Sequence, residues 1–567
     1  MATGFLINQI AHETGRPLRL VFRSDDPARL REGATVTVTG RSAEHPTTQW
    51  RSWGSLWGEH WWVATLPSLD AGEYTVRTHD AAGTEWHAPL RVAPDALISA
   101  TVEHVALGQL ERRAKIPVAR GHGWIDCGGH LSEANSHAVT VIGLCHFFER
   151  RRDALTPDEQ HRLLAQIRVG AEYFLFLAAL ARDRGLPAGT YQHEPGGETT
   201  WLIEDSVQIG VALCLAAEVL SKADDGSAGR DGARAAATDE DDGALATRLV
   251  DAARATHAHL QERPVPPGQG FSRIAHAFDR EVRPPSVWMT RELGLYLEFL
   301  LRLDALGVDT RAESGPVVEE ILGRWVDPPG GDPRDTASAP PHFIPFPGVT
   351  QPEVAWCHNA VGRDTGGLFP HYVLPLELFV RAYPESPLAA RCTAVVDRFL
   401  DGYLEPAAGA SPFSLLPNTW KQGEGWLWFA GLWHGMNASY ALMAMQLFAL
   451  SERRTEPWIR EMAWAQLDWI AGLNAGLTHE SQWACVMSSY DVPEGIAMPV
   501  SMIYGIGRAT AGSWRTIRGS ICNGFSRGAQ FEFDVEPRVS EDRPEAFTDE
   551  DWITHGGAWL AALAWAR

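Results

Sequence analysis

"TPDEQHRLLAQIRVGAEYFLFLAALARDR", residues 156–184, settles the texture of most of the chain. Thr156 is a good helix cap, and Pro157 takes the first helical position, where its missing N–H costs nothing. Apolar residues then return every three or four positions, the period of an amphipathic helix. The same period predicts helices over 137–152, 157–183, 203–221, 243–261, 288–306, 315–326, 386–403, 433–451, 456–473 and 549–566. Between them lie long stretches rich in Trp, His, Gly and Pro, at 186–201, 327–371 and 405–433. Loops of that length inside a compact domain carry function. The pattern predicts a helical toroid with long loops on one side.

Upstream of residue 98 the period changes. "PLRLVFRS", "ATVTVTGRS", "WWVATLPS", "GEYTVRTHD" and "WHAPLRVA" are short alternating runs separated by turn residues, with "DAAGT" as the last turn. That spacing predicts a small β-sandwich over 1–97. The junction "APDALISATVEH" lacks a flexible linker composition, so the sandwich should be docked rather than tethered. Residues 222–242, "KADDGSAGRDGARAAATDEDD", are low in apolar residues and predict an exposed insertion between two helices.

The chain of 567 residues carries a net charge of −22. That argues against nucleic-acid or anionic-membrane partners, which need basic patches. No apolar run is read as a membrane span. Seven cysteines show no CxxC pair and no metal-ligand spacing, which suits a reducing compartment. The start "MATGFLINQIAHETGRP" does not read as a signal peptide, so the expected location is cytoplasmic. Twenty-three tryptophans, many in loop-like stretches, offer flat faces that suit sugar rings. Walker A, GxGxxG, HExxH and GxSxG motifs are missing from the sequence.

"GWIDCGGH" (123–130), followed by the apolar run "AVTVIGLCHFFE", places a lone carboxylate, Asp126, among glycines at a helix entrance. This resembles the "GWYDAGDH" signature of glycoside hydrolase family 9. "FLINQIAHETGRPLRLVF" resembles the opening strand of the immunoglobulin-like module that precedes that family's catalytic domain. "WHGMNASYALMAMQLFAL", "AQLDWIAGLNAG" and "DEDWITHGGAWLAALA" resemble later family segments in the right order. The resemblance implies a multi-domain, mainly α chain: an immunoglobulin-like β-sandwich (1–97) followed by an (α/α)6 barrel (98–567). It implies an oligosaccharide substrate and no cofactor; calcium is compatible with it, but the sequence has no EF-hand loop. It places the family's general acid on Glu550 and one catalytic aspartate on Asp126. The family's second aspartate falls on Gly129, the "GRNP" proline on Ala475, and the "HHR" motif is missing, so the chain is a divergent member.

An inverting glycosidase needs two carboxyl groups on opposite sides of the scissile bond. Glu550 is the expected acid, with Asp549 and Asp551 as competitors and helix capping as the alternative role. Asp126 is the expected base or water-positioning group, with a loop-capping aspartate as the alternative. Glu133 could supply the missing carboxylate from a neighbouring position, but a first-turn helix glutamate is the favoured reading; His137 could bind a sugar hydroxyl, with a satisfied structural group as the commoner role. Candidate substrate contacts are Trp124, His130, His193, Glu194, Trp201, His358, Arg363, Trp426, Trp428 and His434; no metal site is expected. Three other classes fit the same residues. A lyase would use a base such as Tyr490, an inverting phosphorylase would need only the acid, and a sugar-binding protein would need neither.

Overall fold

The protein is described here from a computed structural model. It describes residues 3–40, 46–116, 121–126, 132–195, 201–227, 242–264, 274–275, 281–282, 288–328, 336–344, 347, 354–355, 373–417, 419–428, 436–474, 501–503, 519–525 and 547–567.

The first part of the chain forms nine strands: β1 (Gly4–Leu6), β2 (His12–Glu13), β3 (Leu18–Ser24), β4 (Thr35–Thr39), β5 (Thr47–Gln49), β6 (Arg51–Leu56), β7 (Glu59–Leu66), β8 (Gly72–His79) and β9 (Glu85–Ala93). They make two sheets, in the orders β1-β3-β7-β6 and β2-β9-β8-β4-β5. Every pair is antiparallel except β2 with β9. Alternation explains the arrangement: Val36 and Val38 of β4 point inward while Thr35 and Thr39 face water. Phe22 of β3 sits edge-on to both Trp50 and Trp62, and these rings join Val36, Val76 and Leu90 in one core. In the turn read from "DAAGT", Asp80 Oδ1 accepts from the N–H groups of Ala82 and Thr84. Sequence reading missed β5 and β6, whose "TTQ" and "RSWGSL" carry little apolar alternation.

The remaining described helices are α1 (Ala96–Val102), α2 (Gln109–Arg113), α3 (Ala134–Arg151), α4 (Pro157–Asp183), α5 (Ile203–Ser227), α6 (Asp242–Gln261), α7 (Thr290–Ala305), α8 (Arg311–Gly323), α9 (Val373–Ala382), α10 (Ala389–Phe399), α11 (Glu405–Ala408), α12 (Asn437–Leu450), α13 (Pro457–Ile470) and α14 (Ile553–Trp565). A π-helical turn, Glu103–Gly108, joins α1 to α2. Packing follows a closed order: α3 touches α5, α5 touches α7, α7 touches α9, α9 touches α12, α12 touches α14, and α14 returns to α3. The alternate helices α4, α6, α8, α10 and α13 each pack on members of that ring. Burial agrees, since α12 is buried along its whole length while α4 hides one face.

Four expectations change. Residues 96–113 are helical, where the sequence reads as a plain junction over 93–104 and predicts no helix before 137. Val373–Ala382 is a helix, hidden from pattern reading by Pro375 and by its short length. The last helix starts at Ile553; Phe547–Asp551 is a strand paired with Cys522–Phe525. The expected insertion at 222–242 is helical through Ser227 and again from Asp242, with 228–241 outside the described residues. In addition, α4 is apolar enough by composition to cross a membrane, at a mean hydropathy of 1.5 over its best window, but it packs on α3 and α5.

The tightest helix contact is between α3 and α14. A Cβ on Gly143 would lie 2.0 Å from the carbonyl oxygen of Gly557. The sheets dock on the helices through Asn8, Gln9 and Arg16. Arg16 grips Asp468 with two bonds of 2.8 and 2.7 Å, and Asn8 Nδ2 donates to the same carboxylate at 2.7 Å. Gln9 N–H donates to Ala471 O, and Gln9 Oε1 accepts from Ser501 N–H. Trp57 and Trp61 pack on Phe413.

Candidate active site

Polar residues in the ring helices gather in their first turns. Asn135, Ser136 and His137 open α3; Glu204, Asp205 and Ser206 open α5; Thr290, Arg291 and Glu292 open α7; Asn437 and Ser439 open α12; Thr554 and His555 open α14. All are buried, and the turns beyond are largely apolar. Buried polar groups are costly unless bonded, so their concentration at one end marks a built site. Bonds tie these ends to one another. Glu204 pairs with Arg291 at 2.7 Å, both buried. Asn437 Nδ2 donates to Cys522 O at 2.8 Å, and Asn523, next in that strand, bonds His555.

Asp126 sits at this end, fully buried. Its Oδ2 accepts from the backbone N–H of Glu133 at 2.7 Å. Its carbonyl oxygen accepts from Arg113 at 3.2 Å and from Ile553 N–H at 2.9 Å. Arg113, itself buried, also bonds Ile125 O and Ser520 Oγ. The Asp126 loop is therefore fastened directly to the start of α14, immediately after the strand that carries Glu550. The structure describes Glu550 only as a strand position, so its side chain adds nothing to the geometry.

The same loop is locked from behind. His137 Nε2 accepts from Trp124 N–H at 3.0 Å, and its Nδ1 faces Glu133 O at 2.8 Å, which fixes the neutral tautomer. Burial holds its pKa down at about 3. Its ring stacks on Tyr173 and Trp124. Gly123 has φ 69 and lies so close that a Cβ there would be 2.5 Å from His137 Nε2, so glycine is required twice over.

Glu133 does not behave as a helix-dipole glutamate. It occupies the cap position of α3 with extended backbone and makes no side-chain cap bond. Its carboxylate turns to His193, with Oε1 3.8 Å from Nε2. His193 Nδ1 lies 2.8 Å from Asp205 Oδ2. Burial works against the charge on His193, but Asp205 and Glu133 outweigh it and hold the pKa well above the ordinary histidine range. Burial raises the Asp205 carboxyl above its ordinary value, with His193 opposing the shift.

The other expected contacts scatter. Trp124 is 0 % exposed, with Nε1 bonded to Gln166, so it is a packing residue with no face left for a sugar. Trp201 packs edge-on to His259, Trp426 on Tyr403, and Trp428 on Trp57; all three are buried. Glu194 is half-buried beside His193. His130, His358, Arg363 and His434 lie outside the described residues, as do Gly129 and Tyr490. Sequence reading missed Arg113, Glu204, Asp205, Arg291, Glu292, Asn437 and His555. Apart from Arg113, which ends α2, their signal was a polar first turn ahead of an apolar helix, repeated five times. Among the described residues, no group of His, Cys, Asp and Glu side chains could hold a metal ion, and Cys145, Cys214, Cys392 and Cys522 are buried thiols outside any disulfide.

No protein-family model and no curated protein matches the chain. Among solved structures, one described as Bacteroides ovatus GH9 superposes with a TM-score of 0.55 at 11% identity, covering 99% of this chain and 98% of that one. The chain shares that protein's fold. The cellulase Cel9M of C. cellulolyticum in complex with cellobiose reaches a TM-score of 0.42 at 12% identity, over 78% of this chain and 87% of that one. A cellobiose 2-epimerase from Bacillus thermoamylovorans B4167 reaches 0.38 at 8% identity, over 62% and 78%.

Proposed function

We propose that the chain is a glycoside hydrolase of inverting type that cleaves O-glycosidic bonds in an oligosaccharide. The helices form an (α/α)6 barrel over 98–567, and 1–97 is an immunoglobulin-like sandwich. The closed packing order of α3, α5, α7, α9, α12 and α14 supports the barrel, as does the likeness to a GH9 structure over the whole length. Glu550 donates a proton to the leaving oxygen. Asp126 takes one from the water that attacks the anomeric carbon from the opposite face, as the glycosidic C–O bond breaks. No cofactor is required, and the chain works in the cytoplasm.

One observation carries the reading. The bond from Ile553 N–H to Asp126 O, at 2.9 Å, brings the loops bearing both carboxylates to one end of the helical body. Inverting chemistry needs those groups about 6.5–9.5 Å apart, with water between. The test is a panel of nitrophenyl glycosides and of neutral and acidic oligosaccharides, run with and without phosphate. Hydrolysis with inverted product, independent of phosphate, is expected. Phosphate-dependent turnover, or products absorbing in the ultraviolet as unsaturated sugars do, would replace this reading with a phosphorylase or a lyase.

A further inference from the structure

The site as proposed has one carboxylate for its water, because Gly129 stands where the resemblance expects a second aspartate. We propose that Glu133 supplies that second carboxylate, holding the attacking water together with Asp126, and that His193 and Asp205 are positioning residues that keep Glu133 in place. The inference rests on the hydrolase reading above.

Four observations support it. Glu133 is 8 % exposed, and its Oε2 is buried with no hydrogen-bond partner among the described residues. An ionised carboxylate oxygen cannot stay desolvated without a partner, so a water or a substrate hydroxyl must meet it. The residue also declines the role that its position offers: at the cap of α3 it makes no cap bond. The other oxygen faces His193 Nε2 at 3.8 Å, an ion-pair separation, and His193 is anchored by Asp205 and by Ala134 N–H donating to His193 O at 2.9 Å. Finally, Glu133 and Asp126 are joined directly, since Asp126 Oδ2 accepts the Glu133 backbone N–H. That 2.7 Å bond ties the Asp126 carboxylate to the backbone of Glu133, so the two residues hold a fixed relation at the mouth of α3. In the reaction, the water's oxygen attacks the anomeric carbon and one water proton passes to Asp126. The other proton stays on the product hydroxyl, hydrogen-bonded to Glu133. The departing sugar oxygen receives its proton from Glu550.

Two measurements test this on the full chain. The first follows the His193 ring by NMR with labelled histidine, in wild type and in Glu133→Gln and Asp205→Asn. The charged groups facing it are Glu133 and Asp205, with Glu204 and Asp126 behind them. Removing the Glu133 charge should lower the midpoint of His193 by at least about one pH unit. An unmoved midpoint overturns the pairing whatever the activity. The second uses the nitrophenyl glycoside that the wild type hydrolyses. Glu133→Gln should lower kcat by about 100-fold with little change in KM. Azide, which needs no proton acceptor, should rescue Asp126→Ala more than Glu133→Gln, since the latter keeps the acceptor and loses only the water's second anchor. Asp205→Asn should shift the pH profile and lower kcat less. Wild-type kcat in Glu133→Gln overturns the proposal while leaving the hydrolase reading intact. A wild type that hydrolyses nothing while the histidine midpoint still moves overturns the hydrolase reading, and the water-holding role with it.

Discussion

At the scale of single residues, the two carboxylates make opposite predictions. Glu550→Gln keeps the shape of the side chain but cannot donate a proton. Its turnover on an unactivated oligosaccharide should fall by about 10²–10⁴-fold. A nitrophenyl glycoside, whose leaving group needs little help, should lose much less. Asp126→Ala acts on the nucleophile, so both substrates should suffer alike. Steady-state rates on the two substrates decide the assignment; equal losses in Glu550→Gln would remove it as the acid. Asp126 was legible in the sequence because a lone carboxylate among glycines before an apolar helix is unusual. Its anchor was not: Arg113 reaches it from a short helix that the sequence pattern does not predict. Glu133 is visible as a neighbouring carboxylate but reads as a helix-start glutamate, an ordinary role that the sequence alone has no means to set aside. The tryptophans misled for a simple physical reason. A large apolar ring beside glycine and proline suits a loop floor as well as a sugar platform, and the burial of Trp124 shows which it is.

At the scale of elements, the ring of helices depends on close approach. Gly143 and Gly557 let α3 and α14 meet backbone to backbone, and these two helices follow the Asp126 loop and the Glu550 strand respectively. Gly143→Ala would push a methyl group into a carbonyl that has no flexible end to move. It should cost about 3 kcal/mol, read as a lower urea midpoint, and should reduce activity by separating the two segments. Gly315→Ala, with open space around it in α8, serves as the control: it should leave activity unchanged and stability the same or up to about 1 kcal/mol higher. A neutral Gly143→Ala would mean that the helices can slide apart freely. Most of these helices were legible because apolar period and caps agree, as at Thr156, where the side chain accepts from Glu159 N–H and the reciprocal bond is also made. The closed packing order was not legible, because period reveals which face is buried and not which neighbour buries it.

At the scale of the whole molecule, the join between sheets and helices should weaken in acid. His12 lies in that join, and burial together with the nearby Arg16 guanidinium holds its pKa at about 3. In the unfolded chain it titrates near about 6.5. A depressed value means that the folded state binds its proton late. The stabilisation is therefore fully present above about pH 6.5 and is lost as pH falls toward the folded value. His137, also near 3, acts in the same direction inside the helical body. For Asp468, burial works to raise the pKa, but Arg16, His12 and Asn8 outweigh it and leave it depressed. Its contribution survives until pH drops below the ordinary carboxylate range, so between pH 7 and 5 His12 and His137 lower stability, while Glu292, pushed up to about 7 by burial, takes up its proton more readily when folded and offsets part of the loss. Each histidine should remove about 2 kcal/mol by pH 5, with a slope of about 1.4 kcal/mol per pH unit. Urea midpoints followed by tryptophan fluorescence across that range provide the measurement. His12→Asn, which keeps a donor for Arg16 O but does not titrate, should flatten the slope by the share of one histidine, as His137→Asn should independently. Asp468→Ala is the contrasting variant. It leaves Arg16 buried without its carboxylate, which should cost about 3–5 kcal/mol at every pH in the range. If His12→Asn keeps the wild-type slope, proton uptake at the join does not govern acid stability. The docking would then rest on the Trp57, Trp61 and Phe413 contacts, which no change of pH can reach.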